Sequence, residues 1–482
     1  MNKVKLFIEN FLVYGFGGII SRVIPLIMLP VVTRIMPGTE YFGLYDLSNT
    51  VVQFAGAFAV MGMYDAMYRM FFEKDDREYK TAICSTSLIF TIGTSIIVFV
   101  ILCLSHNFIA DWFFNNRKYS YLVYLSAIAT LVGATNSIVS APTRMENKRK
   151  IYLITNTISP VISYAIAIPL LLKGYYVIAL PLAGIISGFT MELSFYVMNK
   201  KWFNYHCFDT KLLKELLVIG IPLLPNFLIY WVFNSCDKLM ITNIIGLGFA
   251  GVYSVGSKLG HASQLIYTAF AGGWQYFAFS TMKENDQVKN NSLVFEYLGA
   301  ISFFSVSLIC AFSYLLFKVL FTEDYYMGFV VAPYLFFAPL LQMLFQIAGN
   351  QFIVIKKTWP NLFILSSGAV LNILLNLILI PKIGIEGAAI ATLIGYLISV
   401  IICVLVLCKM KLFLVTGRLL MCSFCITIYF VIWRLFLSES FWLSFVLSIA
   451  LGVTYCFLYR GELTVIYNAI KRRDTLSKEN GD

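Results

Sequence analysis

The sequence predicts an all-α polytopic membrane protein with about fourteen transmembrane helices, and three observations carry that prediction. Apolar residues make up 59% of the 482, against the 45–50% usual for soluble domains. Only 13% are charged, about half the ordinary share, which leaves too little polar surface to cover a soluble fold of this mass. Uncharged runs of about 20 residues, enough to cross a bilayer as a helix, recur along the whole chain. Fourteen spans take about 280 residues and leave roughly 13 for each connector or tail, so no soluble domain fits between them.

The first span, near residues 10–35, follows Lys3 and Lys5 and runs on through Arg22 and Pro25 without a small-x-small cleavage motif, as a retained helix does and a signal peptide does not. The second, near 46–69, is interrupted by Asp65. Thr81 to Ser105, Tyr119 to Thr143 and Ile151 to Leu172 are charge-free spans, and 175–198 completes six with Glu192 as its one charge. Spans near 216–245 and 251–280 carry Asp237, Lys238 and Lys258. Tyr297 to Phe317, 329–353, Thr358 to Pro381 and Gly387 to Cys408 complete the second six. Two more follow near 413–437 and at Ser440 to Tyr459.

Thirty-six Lys and Arg stand against 25 Asp and Glu. With the N-terminus inside, 26 basic residues fall in cytoplasmic segments, 7 outside, and 3 (Arg22, Lys238 and Lys258) within spans. That asymmetry is the pattern of an even number of spans with both ends cytoplasmic. No basic run of the kind that tracks nucleic acid stands apart from these loops. All ten cysteines except Cys207 lie in apolar runs and read as small core hydrophobes. Cys422 and Cys425 share one apolar helix with no second pair or histidine to complete a metal site. No G-x-x-x-x-G-K-[ST] or H-E-x-x-H occurs, so transport driven by a resident ATPase loop is excluded.

An internal repeat divides the chain. Thr33-Arg34-Ile35-Met36 and Gly43-Leu44-Tyr45-Asp46 recur as Thr242-Asn243-Ile244-Ile245 and Gly251-Val252-Tyr253-Ser254, and Arg149 and Pro169 are echoed by Lys357 and Pro381. The unit is six helices. An even unit inserts both copies the same way up, so the halves are related by an axis along the membrane normal, as in transporters that rock around a central cavity. The expected organisation is a first six-helix lobe over 1–205, a second over 206–410, two extra helices over 411–460 and a cytoplasmic tail over 461–482.

Polar residues at helical spacing mark the faces expected to line that cavity, because an unpaired polar group facing lipid costs several kcal/mol. In the eighth span Ser254, Lys258, His261, Leu265, Thr268, Gly272 and Gln275 share one face. Asn226, Tyr230, Asn234 and Asp237 do so in the seventh, and Gln342, Gln346 and Asn350 in the tenth. The competing reading for each is helix-to-helix hydrogen bonding. Arg22 and Lys258 differ: a cation at mid-span costs roughly 3 kcal/mol or more, and neither has an acidic residue one turn away on its own helix. Together they point to an anionic ligand held from opposite lobes. Asp237, and with less support Asp65, are candidates to bind a coupling H⁺ or Na⁺, with an Asp237–Lys238 ion pair as the alternative. No other cofactor is called for.

These residues resemble the polysaccharide repeat-unit flippases (Wzx type) of the multidrug, oligosaccharidyl-lipid and polysaccharide exporter superfamily. The resemblance runs through Pro30 to Arg34, Tyr41 to Tyr45, Gly62 to Arg69, Gly220 to Pro225, Asp237-Lys238, Gly251 to Ser254 with Lys258, and Asn372, Asn376 and Ile380 to Thr392. It implies a V-shaped pair of six-helix lobes with two added C-terminal helices, in the bacterial cytoplasmic (inner) membrane. The implied activity is export of undecaprenyl-pyrophosphate-linked oligosaccharide from the inner to the outer leaflet, with polysaccharide polymerase and chain-length machinery as implied partners. In the Ser21-Arg22-Val23 pattern Arg22 resembles a cavity arginine of relatives that flip the peptidoglycan precursor. This chain has fewer such arginines, which favours an O-antigen, capsule or teichuronic-type unit. The rival readings are a drug or cation exporter of the same superfamily, which would prefer acidic cavity groups, and a membrane-embedded polymerase or ligase, which would need a large external loop.

Overall fold

The computed structural model describes residues 23–267, 274, 286–357, 359–462 and 464. They form helices α1 (Val23–Ile35), α2 (Thr39–Val60), α3 (Met63–Phe71), α4 (Arg77–Leu104), α5 (His106–Phe114), α6 (Ser120–Met145), α7 (Arg149–Leu172) and α8 (Ala179–Asn199) in the first half. The second half holds α9 (Thr210–Gly220), α10 (Leu224–Trp231), α11 (Asp237–Ile244), α12 (Leu247–Gly260), α13 (Gln287–Leu320), α14 (Gly328–Val354), α15 (Trp359–Ile383) and α16 (Ile385–Lys409), followed by α17 (Gly417–Ile432) and α18 (Phe441–Leu458). No strand occurs among the described residues.

Eleven helical segments are long and apolar enough to cross a membrane among the described residues, each at a predicted span. The remaining three predicted spans are the first, described as α1 only, the charged α2, and the eighth, described to residue 267. Local chemistry sets several boundaries. The Asp76 carboxylate accepts from the backbone N–H groups of Glu78 (3.3 Å) and Tyr79 (3.1 Å) and so starts α4; Asp209 does the same at α9 through Lys211 N–H at 2.7 Å. Pro222 and Pro225 sit in the first turns of their helical segments, where the missing N–H costs nothing. Between α10 and α11 the helix passes through a π turn at Val232–Cys236.

Two glycine crossings fix how the halves meet. Gly43 in α2 and Gly251 in α12 are counterpart positions of the repeat, and the two helices touch there backbone to backbone. A Cβ on Gly251 would lie 1.9 Å from the Thr39 carbonyl oxygen, and one on Gly43 would lie 2.8 Å from that of Leu247. At the other end of α2, Gly62, at φ +70°, lies against Gly220, whose carbonyl oxygen would be 2.4 Å from a Cβ. Around the first crossing a buried apolar cluster draws from both halves: Leu29, Val32 and Phe42 with Ile241, Val252, Phe317 and Val331. Met63, Met67, Met70, Ile83, Ile138, Trp202 and Leu216 form a second cluster under α3 and α9.

The added helices are tied to the second half by polar groups as well as packing. Arg434, in a π turn after α17, pairs through its guanidinium with Glu386 at the start of α16, Nη2 to Oε2 at 2.7 Å, and the Tyr334 hydroxyl donates to the same carboxylate at 2.9 Å. At the opposite end Arg418 lies 3.3 Å from Glu296 and 2.5 Å from Glu462.

Candidate functional site

A cavity of about 500 Å³ lies between the two halves, lined from one side by Pro25, Phe42, Tyr45, Gln53 and Tyr164 and from the other by Asn234, Lys238, Ser257, Lys258, His261 and Gln264. The volume is within the roughly 300–1,000 Å³ of small-molecule sites. Helix geometry explains the second wall. Lys258, His261 and Leu265 follow at steps of three and four in and after α12 and all line the cavity, as the predicted stripe requires. Ser254, one turn earlier, is buried and does not line it. On the preceding helix Asn234 and Lys238 share the lining, whereas the sequence stripe continued from Asn234 to Asp237. The π turn is the cause: its extra residue per turn rotates the following positions, so Lys238 takes the inward place and Asp237 turns away.

The charge arrangement is a three-membered chain. Asp46 of α2, 1% exposed, receives Lys238 Nζ at 2.6 Å on Oδ2 and Lys258 Nζ at 3.0 Å on Oδ1. The lysines belong to the second half and the carboxylate to the first, so the ion pairs cross the interface. Two ammonium groups share one carboxylate, and the cluster carries one net positive charge beside the cavity. Lys258 keeps 44% of its side chain exposed and Lys238 keeps 10%. His261 directs Nδ1 at the Ser257 carbonyl oxygen (2.8 Å), which leaves Nε2 as the ring's second polar atom.

Asp237 does not pair with Lys238. It sits 2% exposed inside the second half, where it accepts hydrogen bonds from the Tyr253 hydroxyl, from Thr392 Oγ1 at 2.6 Å and from Asn376 Nδ2 at 3.0 Å. Asn372 Nδ2 donates to Thr392 Oγ1 at 2.9 Å, completing a polar nest among α11, α12, α15 and α16.

The other sequence candidates scatter. Asn226 and Tyr230 are half-buried outside the cavity lining, the Tyr230 carbonyl accepting from Asn234 Nδ2 at 2.7 Å. Gln342 and Gln346 are half-open positions on the otherwise deeply buried α14, while Asn350 is buried. Asp65 is exposed on the short α3. Glu192 lines a separate apolar groove with Leu88, Ile92, Leu131 and Phe189. Arg22, Thr268, Gly272 and Gln275 lie outside the described residues. Sequence reasoning missed Asp46, Gln53, Tyr45 and Tyr164. For Asp46 a signal existed: it is a carboxylate inside the repeat motif where the second copy has Ser254.

The profile of a family described as polysaccharide biosynthesis protein matches residues 31–330, and the chain belongs to that family. No curated protein matches it in sequence. Among solved structures it is similar to the lipid II flippase MurJ in an inward closed conformation, at 16% identity and a TM-score of 0.70, over 94% of this chain and all of that one. It is also similar to a multidrug resistance MATE family transporter of the MOP superfamily in an inward-facing conformation, at 15% identity and a TM-score of 0.62, over 81% and 94% of the two chains. A MATE structure in the straight conformation aligns at 13% identity and a TM-score of 0.58, over 84% and 95%. The fold is therefore shared with these neighbours, which are a flippase and transporters rather than enzymes.

Proposed function

Proceeding from membership of the polysaccharide biosynthesis family, we propose that this protein is a flippase for undecaprenyl-pyrophosphate-linked oligosaccharide repeat units of an O-antigen, capsule or related polymer. It carries them from the inner to the outer leaflet of the cytoplasmic membrane by alternating access, and it hands them to polymerase and chain-length machinery. The observation that carries this reading is the pair of lysines on the wall of the cavity between the halves, Lys238 and Lys258, with a net positive charge. A diphosphate and its sugars cannot cross about 30 Å of hydrocarbon unaided. Cations hold the diphosphate; Gln53, Asn234, His261 and the tyrosine hydroxyls replace water around the first sugar. The lipid tail stays in the bilayer. Arg22 belongs to the same cationic set on its sequence pattern, and the 26 to 7 distribution of basic charge supports cytoplasmic termini.

Asp237 is the proposed coupling site for H⁺ or Na⁺. A carboxylate surrounded by hydroxyl and amide groups, and paired with no cation among the described residues, is suited to take up and release a cation as the helices move. The similarity to multidrug transporters supplies a second reading, export of organic cations, and the lysines oppose it because they repel such cargo.

The test is translocation by purified protein in liposomes carrying lipid-linked oligosaccharide, with organic-cation efflux measured in parallel. Glycolipid transfer without sugar-chain growth supports the flippase; efflux of the cation alone refutes it. A charge-assisted contact contributes about 1.5–3 kcal/mol, roughly 10- to 150-fold in affinity. Arg22→Gln and Lys258→Gln are therefore expected to lose export, and Arg22→Lys to retain part of it. Normal surface polysaccharide in a deletion strain carrying either Gln variant at wild-type levels would make these residues structural.

A further inference from the structure

We infer that Asp46 is a built-in stand-in for the substrate's phosphate. It holds Lys238 and Lys258 until a diphosphate displaces it, and that displacement frees the first half from the second at the Gly43–Gly251 crossing. This deepens the proposed function and rests on it.

The charges belong to different halves. Asp46 stands on α2 and both lysines on α11 and α12, so the cluster exists only while the halves are together. The two carboxylate oxygens each serve one ammonium, at 2.6 and 3.0 Å. Among the described residues, Oδ2 accepts no other hydrogen bond. Two bidentate-like acceptor oxygens meeting two cations is also how a phosphate or diphosphate is held.

The mechanical link is the glycine crossing. Asp46 lies one turn beyond Gly43 on the helix whose backbone touches α12 at Gly251. Moving α11 and α12 together away from α2 breaks both ion pairs. If nothing replaces Asp46, that movement strands the buried Asp46 carboxylate in one half and the buried Lys238 ammonium in the other, each a costly state in a low-dielectric interior. An anion already bound to the lysines removes their share of that penalty and repels the Asp46 carboxylate it has displaced. Separation at this end is thus favoured when cargo is aboard and disfavoured when the cavity is empty, which is the requirement for transport without an open passage.

The two copies of the repeat differ where this mechanism needs them to. Tyr45 and Tyr253 are counterparts, but Asp46 faces Ser254 in the alignment. The carboxylate is on one half alone and the lysines on the other, which gives an attraction between halves that a symmetric pair of like charges would not.

The experiment reads the crossing directly. A Cβ on Gly248 would lie 3.2 Å from Thr39 Oγ1, a separation suited to a disulfide. Thr39→Cys with Gly248→Cys in the full chain is oxidised in detergent, and the 39–248 linkage is quantified by mass spectrometry with and without inorganic pyrophosphate; calorimetry measures pyrophosphate binding. The expected result is that saturating pyrophosphate slows cross-linking by roughly tenfold, the scale of one charge-assisted contact. Asp46→Asn should cross-link slowly without pyrophosphate and bind it about tenfold more tightly, since the coupling is reciprocal. Asp46→Glu should behave as the wild type does. Cross-linking that pyrophosphate leaves unchanged although it binds, or an Asp46→Asn protein indistinguishable from wild type, overturns the displacement mechanism alone. Failure of pyrophosphate to bind the wild-type protein overturns this inference and the diphosphate site with it. Should Asp46→Asn not fold, the wild-type comparison decides the matter.

Discussion

Gly251→Ala is the sharpest test of the idea that the halves are held by a backbone crossing. The added methyl would stand 1.9 Å from the Thr39 carbonyl oxygen and 2.7 Å from its carbon, against about 3.5–4.0 Å for an unstrained contact. Both partners are main chain, so no side-chain rotation relieves the overlap; α12 must withdraw from α2 by about 1.5–2 Å to reach that separation. Lys258, at 3.0 Å from Asp46, is carried on the withdrawing helix, so the longer of the two ion pairs weakens with it. Overpacking of this kind costs about 1–3 kcal/mol, and at 1.4 kcal/mol per tenfold the closed arrangement loses roughly 5- to 150-fold in population. The assay is accessibility of a thiol introduced at Val252, buried in the cluster around the crossing, to a membrane-impermeant maleimide. Labelling should accelerate in the Gly251→Ala background. Gly133→Ala is the control, because a Cβ there meets nothing within 4 Å. Equal labelling in both backgrounds would refute the crossing as a restraint.

Other expectations follow from the same packing. Asp237→Asn removes the negative charge from a nest in which three donors point at it, so gradient-driven transport in vesicles should be lost while downhill exchange persists; intact gradient dependence would end the coupling role. Replacing Arg434 by Met leaves Glu386 and Tyr334 without their guanidinium, and a loss of about 1–3 kcal/mol should appear as a lower midpoint of thermal unfolding, absent in the Glu386→Gln, Arg434→Met double variant if the pair acts as a unit. Burial pushes the Glu146 carboxyl up, but hydrogen bonds from Lys148 and Lys201 outweigh it and hold the group below its usual range. A depressed native value means stability present above the unfolded pKa of about 4.3 and lost as pH falls through the native one; melting of Glu146→Gln between pH 7 and pH 3 should therefore vary less than that of the wild type.

The fold was legible because its cause is compositional. Hydrocarbon leaves a chain little choice but helices, and runs such as Thr81 to Ser105 and Gly387 to Cys408 announce themselves by the absence of charge. The glycines of the sequence repeat, Gly43 and Gly251, are where α2 and α12 touch. The site was legible only along uninterrupted helix: Lys258, His261 and Leu265 keep the spacing the sequence suggests. It failed at Asp237 and Lys238 for two physical reasons. Adjacent residues on a helix point about 100° apart and do not pair easily, and a π turn cannot be seen in the pattern of residue types. Asp46 was hidden for a third reason, that its partners lie about 200 residues away and periodicity reports only on neighbours.

The sequence repeat places a glycine at the same motif position in each half, and the two helices meet there, at Gly43 and Gly251. Matching side chains would serve poorly at the centre, because every charge would then face its own kind across the axis. Divergence has placed a carboxylate in the first copy at Asp46 and cations in the second at Lys238 and Lys258. Asp237 and its donors are likewise confined to the second. The two halves thus share a shape and divide the chemistry: one wall supplies the cations, the other the anion that occupies them. Exchanging the partners is therefore the most demanding check on this division. Asp46→Lys alone should repel both lysines and hold the halves apart, whereas Asp46→Lys with Lys238→Asp restores opposite charges across the same 2.6 Å contact and should recover the rate of 39–248 cross-linking without recovering export, since the cation then faces from the wrong half. Recovery of export together with cross-linking would show that the sign of each wall is immaterial to the cargo.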